Sequence, residues 1–256
     1  MSDTVKYEQQ GAVAVITLHR PESMNSFNDE LRADTCNAFS RAHDDETVRV
    51  VIFTGEGRCF SAGADLKAGI DRDVQDILMK EYRPVQEAIA NSPKPVIAAI
   101  PGSAAGIGMS MALQCDLMIM ADNAFLLSPF TTISLVPDGG LSWLLVRQLG
   151  YRRAFQLSAE SERISAERCV ELGLANKAVP AEELQSAAME WAQQLAKRAP
   201  LSLAATKQAM RFAMDSDWAS AYELEAKLQG ELLGSEDNRE GIEAFFEKRA
   251  PDFKGR

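Results

Sequence analysis

Two stretches of this chain combine residue types and spacing that suit chemistry at a main-chain site. In Phe60-Ser61-Ala62-Gly63-Ala64-Asp65-Leu66, small residues follow the apolar, β-branched run Val48 to Thr54. That run reads as a buried strand, and the small side chains after it let backbone come close to a bound group. Successive N–H groups in such a turn, beside a helix start, form a donor site for an oxyanion. Pro101-Gly102-Ser103-Ala104-Ala105-Gly106-Ile107-Gly108-Met109 repeats the arrangement after the strand-like Pro95 to Ile100. Two such units can aim two amides at one carbonyl oxygen. Taken singly, each stretch also reads as a tight turn or as close helix–sheet packing.

The elements that must position these turns follow in order. Ala12 to Leu18 is a mostly buried strand, and a loop with Pro21 leads to a helix from about Asp29 to His43, capped by Ser26 or Asn28. Leu31, Ala38, Phe39 and Ala42 give that helix one apolar face. Gly69 to Lys80 is charged and lacks an apolar period, so it reads as a mobile loop or short helix beside the centre. A helix from about Leu78 to Asn91 ends before Ser92-Pro93, where the pre-proline restriction stops it. Met109 to Leu113 continues a short buried helix, and Asp116 to Met120 and Ala124 to Leu127 are two more strands. A β–β–α rhythm thus recurs three times, as a spiral of parallel layers requires. Leu141 to Leu149 is a helix that stops at Gly150, and five helices follow between Ser165 and Lys248.

The bulk composition narrows the classes. With 256 residues, 46% of them hydrophobic, the chain can bury a large core as one or two domains. A formal charge of −10 and the lack of a dense Lys/Arg run argue against nucleic acid as a partner. Cys36, Cys59, Cys115 and Cys169 show no CxxC spacing and the chain has two histidines, so no metal site is expected. Unclustered cysteines suit a reducing compartment. The polar N-terminus and the lack of a long apolar run lead us to expect a soluble, cytoplasmic protein that does not enter a membrane.

Taken together, FSAGADL and PGSAAGIGM resemble the enoyl-CoA hydratase/isomerase (crotonase) family, as do His19 to Asn25 (HRPESMN) and FFEKRAPDFKG near the C-terminus. The resemblance covers essentially the whole chain. It implies an α/β fold, a crotonase-like spiral of repeated ββα units with a C-terminal helical trimerisation region. The expected division is a spiral core with the acyl-CoA site over residues 1–197 and an oligomerisation region over 198–256. It also implies an acyl-CoA thioester substrate, a homo-oligomer of three or six subunits, and no cofactor beyond the coenzyme A that the substrate itself carries.

The family's shared step is polarisation of a thioester carbonyl by two backbone amides. Carried onto this sequence, the donors are Ala64 and Ile107, the latter where most relatives have glycine. Ala62, Gly63, Asp65 and Leu66 fall in the turn against which the family binds CoA; Asp65 also reads as a helix cap. Family hydratases use two glutamates to position water, and their places are taken here by Ser110 and Phe130, so the ordinary pair is absent. Asp138 stands where family isomerases of dienoyl-CoA or ring-derived acyl-CoA carry a catalytic aspartate. Burial against Phe130, Leu126 and Trp143 would raise its pKa, while Pro137-Asp138-Gly139-Gly140 also reads as a plain β-turn.

One carboxylate suffices to move a double bond from C3 to C2, so isomerisation by Asp138 leads. A hydratase recruiting Asp71 or Glu81 is the second reading, and an acyl-CoA-binding protein without turnover the third. An aryl-CoA dehalogenase arrangement needs a histidine that neither His19 nor His43 supplies at the matching place. Arg20, Lys248 and His19 are candidate phosphate contacts.

Overall fold

The computed structural model describes residues 4–68 and 72–256. β1 (Val5–Gln10) and β2 (Val13–Leu18) pair antiparallel across Gly11. The sequence reading has no strand at β1, because its outward Lys6 and Glu8 make the stretch polar overall. Only Val5 and Tyr7 turn inward, which suits an edge strand with one wet face. α1 (Asp29–Asp44) starts at Asn28, whose Oδ1 accepts from Leu31 N at 2.9 Å, and it buries Leu31, Ala38, Phe39 and Ala42.

Three ββα units follow. β3 (Val50–Gly55) and β4 (Cys59–Ser61) lead through α2 (Val74–Ile77) and a π-helical turn Leu78–Tyr82 into α3 (Arg83–Ala90). The helix expected over 78–91 is formed, as part of one continuous helical run from Val74 to Ala90 whose π-helical turn precedes Pro84. β5 (Val96–Ile100), β6 (Ser103–Ala105) and α4 (Ile107–Gln114) form the second unit. β7 (Leu117–Ala121), β8 (Phe125–Leu127) and α5 (Leu141–Leu149) form the third.

Each unit sends its first strand to a large sheet and its second to a small one. The chain then adds α6 (Tyr151–Glu160), β9 (Ile164–Ser165), α7 (Ala166–Glu171) and β10 (Lys177–Val179). The large sheet runs β1-β2-β3-β5-β7-β10 and the small one β4-β6-β8-β9. β3, β5 and β7 are parallel, as are β4, β6 and β8, so the expected spiral of parallel layers is what the chain forms. Every residue of β3 and β5 is buried, which is why both stretches are continuous apolar runs rather than alternating ones. α6 has no counterpart in the sequence reading: Gly150 ends α5 and caps α6 as well, so one glycine joins two helices.

α8 (Leu184–Ala196) lays Leu184, Ala188 and Ala192 on the large sheet. Beyond it, α9 (Pro200–Ala213), α10 (Trp218–Leu232) and α11 (Glu236–Glu247) make up the C-terminal part. Asp217 and Ser235 cap the last two by accepting from Ser220 N and Asn238 N, each at 3.0 Å. α9 buries no residue fully; it is tied to the core through Lys207 and Arg211, which reach Asp116 at 2.8 and 3.0 Å. Among the described residues, no helix is long and apolar enough to cross a membrane.

Candidate active site

The first turn is held from behind by the loop that carries HRPESMN. Asn25 is fully buried; its Oδ1 accepts from Arg20 N at 2.8 Å and its Nδ2 donates to Glu56 O and Cys59 O at 3.0 and 2.8 Å. Ser61 Oγ donates to Asn25 O at 2.8 Å and accepts from Gly63 N at 3.1 Å, while Ala62 N donates to Met24 O at 2.9 Å. On the other side Phe27 N donates to Gly63 O at 2.8 Å and Asp65 N to Phe27 O at 3.0 Å. This short bridge uses the groups flanking Ala64. The Ala64 N–H is left with no acceptor among the described residues.

The second turn ends in Gly106, at φ +56° and ψ −130°, a conformation that only glycine adopts at little cost. Its carbonyl accepts from Met109 N and Ser110 N at 3.0 and 3.2 Å and starts α4, so Ile107 is the first helical residue. The N–H groups of a first helical turn have no partner within the helix, and that of Ile107 has none among the described residues. The helix dipole favours negative charge at the same spot. The two turns are packed together: a Cβ on Gly63, whose φ is +101°, would lie 2.9 Å from Ala105 O, and one on Gly106 3.8 Å from Gly63 Cα.

Asp138 comes to this place in the turn before α5. Its carbonyl accepts from Leu141 N and from Ser110 Oγ, both at 3.0 Å, and Gly139 O accepts from Gln86 Nε2 at 3.2 Å. A Cβ on Gly139 would stand 2.1 Å from Ile107 Cδ1, so the turn lies directly against the start of α4. The carboxyl Oδ1 is buried and no donor reaches it. Burial pushes the Asp138 pKa up to about 6, with only its own backbone N–H working the other way. Tyr82, itself buried, is raised mainly by burial and also by the nearby charge of Asp138.

The other residues singled out in the sequence fall in different places. Phe130 is buried, and its ring edge lies 3.8 Å from where a Cβ on Gly106 would stand, so it lines the second turn. Trp143 corrects the expectation that it covers Asp138: its Nε1 donates to Asp215 Oδ1 at 3.2 Å, turning the ring towards the C-terminal part. Asp65 pairs with Arg20 at 3.0 Å and accepts from Lys67 N at 3.2 Å, which engages both the carboxylate and the arginine. Ala62 is half-buried, Gly63 buried, and Leu66 exposed beside them.

Glu81 is gripped by Arg32 and Arg72, at 2.5 Å from each; burial raises its pKa, but those hydrogen bonds outweigh it and the net shift is downward. It is a poor base. Asp71 lies outside the described residues. His19 Nδ1 sits 2.8 Å from Glu56, and Lys248 is exposed at the end of α11. All four cysteines are free thiols, and Met109, Met111, Met118 and Met120 are core.

Sequence reasoning missed Gln86, Tyr82 and the part played by Asn25. For Asn25 the HRPESMN motif was a signal; Gln86 and Tyr82 offered none.

Turns far apart in sequence thus pack against one another, and two unpartnered amides, an aromatic edge and one buried carboxyl fall on those turns. A profile described as Enoyl-CoA hydratase/isomerase matches residues 8–256. The chain is 40% identical to a probable enoyl-CoA hydratase of Rhodobacter capsulatus, over 99% of this chain and 98% of that one. It is 36% identical to 1,2-epoxyphenylacetyl-CoA isomerase of Escherichia coli K12, over the full length of both. The crystal structure of an enoyl-CoA hydratase from Bacillus anthracis superposes with a TM-score of 0.94 at 32% identity, over 99% of this chain and 100% of that one. The ββα spiral is therefore the crotonase fold, and the chain belongs to the enoyl-CoA hydratase/isomerase family of enzymes acting on acyl-CoA thioesters.

Proposed function

We propose that this enzyme is an enoyl-CoA isomerase that moves a double bond from C3 to C2 with Asp138 as its one acid/base group. The observation that carries the reading is a single buried carboxyl, undonated at Oδ1, beside two unpartnered amides. With the thioester oxygen on Ala64 N and Ile107 N, the Asp138 carboxylate takes a proton from C2. The C2–H electrons enter the thioester as a dienolate, whose negative oxygen the two amides stabilise. The carboxylic acid then returns the proton to C4, and the double bond lies between C2 and C3. No water is activated, so Ser110 and Phe130 in place of the two glutamates do not impede the step. A pKa near 6 leaves the base mostly ionised at neutral pH yet basic enough to accept a carbon-bound proton.

Ala62, Gly63, Asp65 and Leu66 border the turn on which the CoA moiety would lie, and Phe130 would contact the acyl group. In this reading coenzyme A arrives with the substrate and no further cofactor takes part. The protein would work in the cytoplasm, where its four free thiols stay reduced. Oligomerisation into trimers or hexamers through residues 198–256 is supported by the exposed Trp218, Tyr222, Phe245 and Phe246.

Incubation with a 3-enoyl-CoA and a 2-enoyl-CoA in deuterated water, beside Asp138→Asn, tests the reading. Conversion of the 3-enoyl substrate by the wild type alone, with no 3-hydroxyacyl product from the 2-enoyl one, is the expected result. Brisk hydration that survives Asp138→Asn would sink it in favour of a hydratase. Tight CoA-ester binding with neither product would leave a binding protein.

A further inference from the structure

We propose that Ser110 and Gln86 are positioning residues that hold the Asp138 turn by its main chain and so present the carboxyl to the substrate without a side-chain donor on it. The proposal rests on the Asp138 isomerase reading above. A base can be fixed in two ways. A donor on the carboxylate stabilises the ionised form and lowers its basicity. A donor on the carbonyl behind it fixes the same group and leaves the carboxylate basic.

The structure shows the second arrangement. Ser110 is fully buried on α4, and its Oγ is 3.5 Å from Gly106 O, the i−4 carbonyl that a helical serine ordinarily takes. Its shorter bond, at 3.0 Å, goes instead to Asp138 O across 28 residues of sequence. From α3, the buried Gln86 donates to Gly139 O at 3.2 Å, while its own Oε1 is buried without a partner. An amide that accepts such a burial is held there by its one donated bond. The Ile107 side chain closes a third side, against Gly139, whose φ of +59° disfavours any side chain and where a Cβ would stand 2.1 Å from Ile107 Cδ1. Two successive peptide carbonyls are thereby gripped from two helices, and neither grip touches the carboxyl.

The charged surroundings are simple. Of the groups packed around the turn, the Tyr82 phenol is the titratable one coupled to Asp138. Glu81 beside it is engaged by Arg32 and Arg72, and Arg147 on α5 pairs with Asp215. α4 carries no charged side chain. Loosening the turn would therefore act on Asp138 through position and water access rather than through a displaced ion pair.

The test measures isomerisation of a 3-enoyl-CoA by Ser110→Ala, Gln86→Met and their double variant. It records pH profiles of kcat and kcat/KM, with thermal melts as a folding control. The proposal expects kcat to fall about 10- to 100-fold with KM nearly unchanged, the scale of a base displaced by up to an ångström. It also expects the acidic limb to move below the wild-type position as water reaches the carboxyl. Folded variants with wild-type kcat and an unmoved limb would overturn it. So would a lowered Tm with an unmoved limb, since that describes ordinary structural support. Should Ser110→Ala not fold, Gln86→Met alone decides between these outcomes. Asp138→Asn assayed in parallel separates the two levels: full activity there refutes the Asp138 reading itself, whatever the other variants do.

Discussion

Two carboxylates lie close enough to the Tyr82 phenol to influence it, and they are in opposite states. Glu81, on the π-helical turn, accepts from Arg32 and Arg72 and is held below the usual carboxylate range. Asp138, in the turn before α5, is buried with no donor on Oδ1 and is pushed up to about 6. Residue type does not distinguish them. Where the donors point does: at Glu81 they meet the carboxylate, and at Asp138 they meet the carbonyls behind it. One carboxylate is a structural anion and the other is available as a base.

The strongest way to break this comparison is to neutralise each in turn. Asp138→Asn should lower kcat by about 10³-fold, within the range of general acid–base contributions. Glu81→Gln should leave the rate of the folded enzyme within a few-fold, and initial rates on a 3-enoyl-CoA check both. A Glu81→Gln loss as deep as that of Asp138→Asn would invert the assignment.

In the proposed reaction the carboxylate works with the two amides as oxyanion donors. Gly63→Ala puts a Cβ 2.9 Å from Ala105 O at a φ of +101°, so the turn must shift and take the Ala64 amide with it. Loss of one such donor costs about 3–4 kcal/mol of transition-state stabilisation. The measurement is kcat, with CoA-ester binding as the control for a general collapse of the turn.

Stability against pH separates the pair by sign. The folded pKa of Asp138 lies above its ordinary 3.8, so the fold bears a cost that grows as pH rises from there through about 6. Asp138→Asn should thus be the more stable protein at pH 8 by about 2–3 kcal/mol, with no gain left below pH 4. Glu81 runs the other way. Its folded pKa is depressed below 4.5, so its contribution is present above that value and is lost as pH falls through the folded one. Glu81→Gln should cost about 1–3 kcal/mol at pH 7, because it leaves the buried Arg32 short of its partner. Urea titrations of both variants at pH 4 and pH 8 test the opposite slopes.

The smallest effect belongs to Arg72→Ala. Its side chain is half exposed, so its bond to Glu81 should contribute little despite good geometry. A larger loss in the same titration would mean that Glu81 depends on Arg72 more than on the buried Arg32.

Local pattern carried much of this. The buried runs at β3 and β5, the cap at Asn28, and the small-residue turns after β4 and β6 are all readable along the chain, because strand period, cap chemistry and glycine freedom act within a few residues. The failures share one cause. β1 hides its inner face among polar residues, and α6 begins at the glycine that ends α5. In both, packing against distant elements decided what the local text left ambiguous.

By itself, then, the sequence determined the parallel ββα repeat, the pair of small-residue turns after β4 and β6, and the absence of glutamate at Ser110 and Phe130. Only the tertiary structure decided which carboxylate is bare. It turned Trp143 to Asp215, closed Arg32 and Arg72 on Glu81, and brought Ser110 and Gln86 to the Asp138 turn. Those partners lie between 9 and 72 residues apart in the chain. No periodicity of 2 or 3.6 residues spans most of such distances, so the protonation state of Asp138 is a property of packing.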